Sequence, residues 1–463
     1  MASEQSSATQ KGGAQFDILV VGHGIAGLTF AIDAKLRGHR VRIIEKNPGL
    51  DDFGDVLGVQ PSSLRSVQRN WPEFMPRLQA ISLGSKLAAY NHEGIHLTNQ
   101  VVATDDGLGM GLHRLDFHAL LHEYAKERGV NISFSKVVTE YFEDAEKGGV
   151  VLSDGTKITA DLVVAADGVG SHSWNLVLGK KDQAESSGYG VFRANYPSGP
   201  ALQNPIISEG FGKAEGGGLA FLGKDTHIVI SKSQHRIGFL LTHKAEKDLG
   251  DVVPITEVLR FLEGWTPFVI EVVKAVPDQK AVDWKLRWRD PQEKWVSDLG
   301  RVVQIGDACH SFLPTSAYGA STAMEDGHSL AECLSHVDRQ NIKLALQVHN
   351  HLRFERTSCA QKMGFKTREI WHKTDWSDGS NNPSKAFGGL KAPWLVDHDP
   401  EEYAREKFQD CADHLQHGTP FHNTNSVPGY TYKPWTVKDL NEASEKGIAE
   451  QDEGDWFRPL NEL

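Results

Sequence analysis

The sequence predicts an α/β fold: a mostly parallel sheet assembled from three separated segments, with a β-rich domain inserted between the second and the third. Three observations predict it. A strand–turn–helix–strand unit occupies residues 17–45, and its first turn is rich in glycine. Two later apolar runs, Asp161–Ala165 and Arg301–Ile305, each deliver an acid and a glycine to the carboxyl end of a strand. From Ser187 to about Lys285 the pattern changes to alternating runs such as THIVISK and RIGFLLTHK, separated by glycine-rich turns.

Taken in order, residues 1–15 are polar and read as a disordered lead without the apolar stretch of a signal peptide. Asp17–Val21 (DILVV) is a short apolar strand, LTFAIDAKLRGH a helix ending near Gly38, and Arg40–Glu45 a second strand. Leu83–Thr98 alternates around Asn91-His92-Glu93-Gly94 and predicts a hairpin. Leu115–Glu127 carries leucines and aromatics on one face and predicts a helix. Val150–Leu152 and Asp161–Ala165 are strands, and the second is apolar enough to be central. Ser321–Ser335 is a helix. The resulting division places the parallel sheet in 16–78, 102–178 and 288–345, the inserted domain in 79–101 and 179–287, and a charged, aromatic, helical or irregular extension in 346–463.

Charge and cysteine content narrow the function classes. The net charge is −12, from 49 basic and 61 acidic residues, which argues against a general affinity for nucleic acid or anionic membrane. No run of 18 apolar residues predicts a membrane span. Cys309, Cys333, Cys359 and Cys411 show no C-x-x-C spacing and read as reduced, packed thiols of a cytoplasmic protein.

Gly22-His23-Gly24-Ile25-Ala26-Gly27 matches G-x-G-x-x-G after a strand and before a helix. Gly22 permits the tight turn, Gly24 lets the backbone approach a pyrophosphate, and Gly27 lets helix and strand pack closely. Glu45, with Lys46 after it, ends the second strand 18 residues beyond Gly27, where a carboxylate accepts from ribose hydroxyls and repels a 2′-phosphate. This is a Rossmann-like dinucleotide site. Two later motifs decide for FAD: Asp167-Gly168 and Gly306-Asp307 end buried strands, where carboxylates can hold ribityl hydroxyls. The helix beginning near Gly319-Ala320 turns its positive end to the same region, where it can stabilise a reduced flavin.

With these motifs in view the chain resembles the group A flavoprotein monooxygenases, the family of p-hydroxybenzoate and salicylate hydroxylases. The resemblance rests on G-x-G-x-x-G, the central Asp-Gly, and GDACHSFLPTSAYGASTAMED, in which Asp307, His310, Pro314, Gly319, Glu325 and Asp326 fall at the family's spacing. Arg114 in HRLDFHALL and Trp295 before GRVVQIGD also match. It covers about residues 16–345. Trp174 stands where the family has Arg, Ser311 where it has Pro, and Ala317 where it has Gly. These departures, with Trp394-Leu395 and His398-Asp399-Pro400, resemble the fungal secondary-metabolism branch. The resemblance implies FAD bound by Gly22, Gly24, Gly27, Glu45, Lys46, Arg114, Asp167, Gly168, Gly306, Asp307, Pro314, Gly319 and Ala320. It implies reduction by NAD(P)H, with NADPH favoured, and reaction with O2 to a flavin C4a-hydroperoxide. That oxidant hydroxylates or epoxidises an electron-rich aromatic, a phenol or an indole alkaloid; in the alkaloid enzymes a rearrangement to a spiro-oxindole follows.

Substrate contacts are then expected from the inserted domain or from the loop after Glu45. Arg193, in GYGVFRANYP, is a candidate to hold an oxyanion or carbonyl. Asp55, in FGDVLGVQP, is a candidate to orient a substrate amine or move a proton. Tyr196 is a third candidate. An Arg–Asp pair suits a substrate with a basic nitrogen. His118 and His122 lie four apart on one helix but lack a third ligand, so no metal is expected. Lys244 to Lys247 read as solvated charge. A flavin halogenase is disfavoured because Trp284–Trp288 lacks the W-x-W-x-I-P pattern. A flavin-dependent reductase or saturase, and a non-catalytic FAD-binding protein, are the alternatives. A monomer or a homodimer fits the sequence.

Overall fold

The computed structural model describes residues 15–50, 54–101, 107–180, 184–212, 217–245, 250–448 and 452–457. Most of the polar lead, and part of the Lys244–Lys247 charge run, lie outside them.

A five-stranded parallel sheet runs in the order Val302–Gln304, Leu162–Ala165, Asp17–Val21, Arg40–Ile44, Asn131–Ser133. Leu162–Ala165, and Asp17–Val21 beyond its first residue, are apolar because both faces are covered. Helices Ile25–Leu36, Arg114–Glu127 and Gly319–Ser335 cover one face, with Phe30, Leu121 and Met324 in a common core. An antiparallel sheet of Val138–Glu143, Gly148–Leu152 and Lys157–Ala160 covers the other, through Tyr141, Val150 and Leu152. Asn131–Ser133, the edge strand beside Arg40–Ile44, is not among the expected strands. Helix boundaries move slightly outward: the helix expected from Ser321 starts at Gly319, and that expected from Leu115 starts at Arg114.

The second large sheet has eight strands, in the order Val252–Pro254, Lys280–Trp288, Glu185–Pro197, Arg236–Lys244, Thr226–Lys232, Gly218–Gly223, Lys86–Asn91, His96–Val101. The hairpin expected around Asn91–Gly94 forms its last two strands, with Gly94 at φ +90° in the turn. The stretch from Ser187 to Lys285 is not all β. Helices Pro205–Gly212, Ile255–Leu259 and Pro267–Lys274 pack on one face of the sheet. Their apolar positions meet Phe192, Ile228, Phe239 and Leu241, and a sheet with one apolar face needs such a cover.

Strand alternation sends the intervening residues to the opposite face. In register across it lie Arg193, Leu240 and Val229, and one row away Val191, Thr242 and His227. That face looks towards the parallel-sheet region. Part of it is covered by the C-terminal extension, where Trp371, Trp376, Ala386 and Phe387 pack on Ala89, Ala220 and Leu222.

The extension is dominated by one 32-residue helix, Ile342–Lys373. Pro400–His417 is a second helix, started by Asp399, whose carboxylate accepts from Glu402 N at 3.1 Å, and ended by Gly418 at φ +72°. Among the described residues no helix is long and apolar enough to cross a membrane. All four cysteines are buried and unpaired in disulfides.

Candidate functional site

The glycine turn shows why each glycine is needed. Gly22 has φ +106°, and a Cβ there would meet Ala166 O at 2.2 Å. A Cβ on Gly27 would meet Gly22 O at 2.2 Å. Gly24 differs: a Cβ there meets nothing within 4 Å, because Gly24 borders a cavity of about 630 Å3. Glu45 closes the turn from the second strand, accepting from His23 N at 2.9 Å and Asn47 N at 2.8 Å. Lys46 beside it is exposed. His118 and His122 both hold this turn. His118 Nε2 donates to His23 O at 2.6 Å, and His122 Nδ1 lies 2.8 Å from His23 Nε2. Burial first, then its two histidine neighbours, lowers the pKa of His23 to about 3.

Two further turns reach the same cavity. Asp167 follows the strand Leu162–Ala165; its Oδ2 accepts from Tyr141 OH at 2.7 Å, while its buried Oδ1 has no partner. Asp307 follows Val302–Gln304 and lines the cavity, as do Gly168 and Arg114. Burial raises the pKa of both acids; His310, Arg289 and Arg114 oppose the rise at Asp307. Pro314, Gly319 and Ala320 also line the cavity, and the N-terminus of helix Gly319–Ser335 opens on it. Gly306 sits against the glycine helix, where a Cβ would meet Ala26 Cβ at 2.9 Å. Ala317 adopts φ +52°, the left-handed conformation that favours the glycine usual at this position.

Trp174, in place of the family's arginine, donates through Nε1 to Ala308 O at 2.7 Å. A guanidinium reaches this place by another route. Arg289 lies over the Trp174 ring at 4.7 Å and donates to the carbonyls of Val169 and Asp307, tying the two acidic turns together.

These features fit FAD. The uncrowded approach at Gly24, the Asp307 carboxylate on the cavity lining, and the helix N-terminus at Gly319 offer donors and acceptors where pyrophosphate, ribityl and ring would lie. Cys309, His310 and Asp326 cluster nearby, but each is engaged within the protein. Asp326 accepts from Gly306 N, His310 Nε2 and Arg353 Nε, and Cys309 Sγ donates to Gly306 O.

The cavity continues from this region onto the open face of the eight-stranded sheet. Arg193 Nη1 donates to Asp55 Oδ2 at 2.8 Å, and its guanidinium lies 4.6 Å from the Trp284 ring centroid. Of this pair Asp55 lines the cavity. Burial raises the Asp55 pKa, opposed by Arg193 and then Arg114. Asn195, on the same face as Arg193, donates to Gly54 O at 3.1 Å and so holds the Asp55 loop. Tyr196 is a correction. It stands three residues from Arg193, on the opposite face, and its hydroxyl donates to Val272 O at 2.5 Å within the far core. The expected source of the substrate wall also needs correcting: Trp371, Phe387, Leu390 and Lys391 of the C-terminal extension line the cavity beside Leu83, Leu87 and His227.

The FAD binding domain family matches residues 15–227 and 268–361. The FAD-dependent monooxygenase fsr3 of Gibberella fujikuroi is 34% identical over 468 residues, covering 95% of this chain and 89% of that protein. The FAD-dependent monooxygenase mdpD of Emericella nidulans is 33% identical, covering 95% and 90%. Among solved structures, CtdE in complex with FAD and substrate 4 superposes with a TM-score of 0.80 at 26% identity, covering 87% of this chain and 100% of that one. FqzB gives 0.80 at 27% identity, covering 90% and 100%. A salicylate hydroxylase substrate complex shares the fold, with a TM-score of 0.70 at 22% identity, covering 85% and 98%.

Proposed function

Because the chain belongs to the FAD-dependent monooxygenases of the FAD binding domain family, we propose that it uses NAD(P)H, with NADPH as the favoured donor, and O2 to hydroxylate or epoxidise a flat, electron-rich aromatic small molecule. The observation that carries this reading is that one cavity has a lining running from Gly24, Gly168, Asp307 and Gly319 to the sheet residues Val229, Leu240 and Thr242. FAD supplies the reductive activation of O2, and the chain supplies binding, orientation and exclusion of water.

Val229 and Leu240 form an apolar floor for a ring system, and Phe387, Leu390 and Trp371 form a wall. Arg114 places a cation near both Asp55 and Asp307. Lys86 and Lys391 also line the cavity, so basic groups balance its acids. Asp55 already engages Arg193, and this favours a substrate with oxygen substituents over one whose basic nitrogen must compete with a guanidinium. In this reading Arg193 holds Asp55 in place, and Asp55 orients the substrate or moves its proton.

The test is NADPH oxidation in air by the FAD-loaded protein, with and without panels of polycyclic phenols and of indole alkaloids, followed by product mass. Substrate-stimulated oxidation with a gain of one oxygen atom from the phenol panel is expected. A reduced product without oxygen points to a reductase; no stimulation by any member rejects the reading.

A further inference from the structure

Away from the Arg193–Asp55 pair, the cavity floor ends on His227, which is paired with a second histidine behind it, and no step above uses either. His227, on strand Thr226–Lys232, lines the cavity. Its Nδ1 lies 2.7 Å from Nε2 of His372, near the end of helix Ile342–Lys373. The two are 145 residues apart in sequence and fully packed: Trp371 stands edge-on to His227 at 4.8 Å, and Tyr189 lies 5.2 Å from His372.

Hydrogen-bond accounting fixes the tautomers. One proton lies between His227 Nδ1 and His372 Nε2. The remaining nitrogen of His372, Nδ1, is buried and without a partner. A buried N–H without an acceptor is rarer and costlier than a bare ring nitrogen. Hence His372 Nδ1 is bare, His372 Nε2–H donates to His227 Nδ1, and His227 carries its proton on Nε2. Burial keeps both rings neutral: it pushes His227 well below the usual histidine value and lowers His372 to about 3.

We propose that His227 presents its Nε2–H to the cavity as the donor for an acceptor oxygen on the substrate's aromatic system, a phenolate or a ring carbonyl, and that His372 is the positioning residue that fixes this tautomer. The inference rests on the monooxygenase reading and names the group its substrate must carry. The sheet sets the scale. His227 lies two strands and one side-chain row from Arg193, about 10 Å and about 7 Å respectively. Val229 and Leu240 fill the floor between, so the two polar pairs grip opposite ends of a fused ring system lying on it.

The test is binding to the oxidised, FAD-loaded protein without NADPH, measured by calorimetry and by the shift in flavin absorbance. The probes are 1-naphthol, 1-tetralone and 1-methylnaphthalene, which share a bicyclic body and differ in oxygen. The native protein is expected to bind naphthol or tetralone about tenfold more tightly than methylnaphthalene, the gain of one good hydrogen bond. Preference for naphthol identifies the phenol, and preference for tetralone the carbonyl. His227→Phe and His227→Leu, each checked for full FAD content, should bring the ratio to about one while leaving methylnaphthalene binding intact. His372→Phe should lower the ratio several-fold, whereas a merely structural role would weaken all three probes together. No preference in the native protein, or a preference that survives both His227 variants, overturns the proposal. Failure of NADPH turnover with the preference intact overturns the monooxygenase reading instead.

Discussion

Arg356 and Glu325 form a two-point ion pair in the interior, with Nε to Oε2 at 2.8 Å and Nη2 to Oε1 at 2.9 Å, both side chains fully buried. Glu325 belongs to the helix whose N-terminus opens on the cofactor region, and Arg356 to the long C-terminal helix. The same guanidinium donates to the carbonyls of Trp394, Leu395 and Asn425. One side chain thus docks the extension that supplies the far wall of the cavity.

Arg356→Met should therefore be severe. Removing one partner of a buried pair costs roughly 3–5 kcal/mol, and Arg353, also on Glu325, holds the loss towards the lower figure. A fall of several degrees in Tm is expected, with weaker retention of FAD on gel filtration. Arg356→Lys should rescue little, since an ammonium cannot match the planar fork and reach three carbonyls. A Tm for Arg356→Met within a degree of native would show that the extension docks by other contacts.

Gly27 and Gly24 of the glycine turn should separate by phenotype. Gly27→Val places side-chain atoms where even a Cβ is 2.2 Å from Gly22 O, so little folded protein is expected. Gly24→Val projects into open space and should leave the melting of the FAD-free protein near native. It should weaken FAD binding about tenfold or more by blocking the backbone's approach to the pyrophosphate. Titration of the FAD-free proteins with FAD checks both; native affinity in Gly24→Val would remove this turn from the cofactor site.

On the substrate side, Arg193→Ala should lower product formation at least tenfold while FAD content stays full. It strips Asp55 of the cation that opposes the burial-driven rise of its pKa, and Asp55 then protonates at higher pH. The Asp55-dependent limb of the rate–pH profile should move upward accordingly. Tyr196→Phe should leave turnover unchanged and cost about 1 kcal/mol of stability, through the lost bond to Val272 O. Full product yield from Arg193→Ala would remove that residue from the mechanism.

How far the site was legible follows from how local each signal is. Gly22, Gly24, Gly27 and the acid–glycine turns at Asp167 and Asp307 announce themselves, because turn chemistry and strand ends are written in a few adjacent residues. Strand parity alone separates Tyr196 from Arg193. Residues 193 and 196 must face opposite sides of a strand, and the same rule selects Asn195, which does grip the Asp55 loop. The helices at Pro205–Gly212 and Pro267–Lys274 were hidden by stronger β patterns around them. Nothing local could pair His227 with His372 or bring Phe387 and Lys391 to the cavity. Those placements depend on where a 32-residue helix crosses the second sheet, which is settled by packing over distant segments.

Acid stability offers the last test, and its sign can be worked out group by group. His349 is fully buried beside Trp295 and shares a 3.1 Å contact with Ser329 Oγ. Burial lowers its pKa to about 3, so the folded chain keeps it neutral while the unfolded chain protonates it near 6.5. Below about pH 6.5 the unfolded state therefore binds the extra proton, and stability falls by up to about 1.4 kcal/mol per pH unit for this group. His372, lowered to about 3, and His39, lowered to about 4, act with the same sign. Asp326 and Glu332, each held down to about 2, add their losses only below about pH 4, where the unfolded carboxylates protonate first. Asp167 and Asp307 act oppositely, since their raised values favour the folded state as pH falls. The difference between native and His349→Gln isolates one histidine from this sum. Denaturant unfolding at pH 7.5, 6.5, 5.5 and 4.5 should show the variant weaker at pH 7.5, having lost the imidazole, and its deficit shrinking by about 1 kcal/mol per unit below pH 6.5. A deficit constant across the series would mean that His349 takes up its proton in the folded state as readily as in the unfolded one.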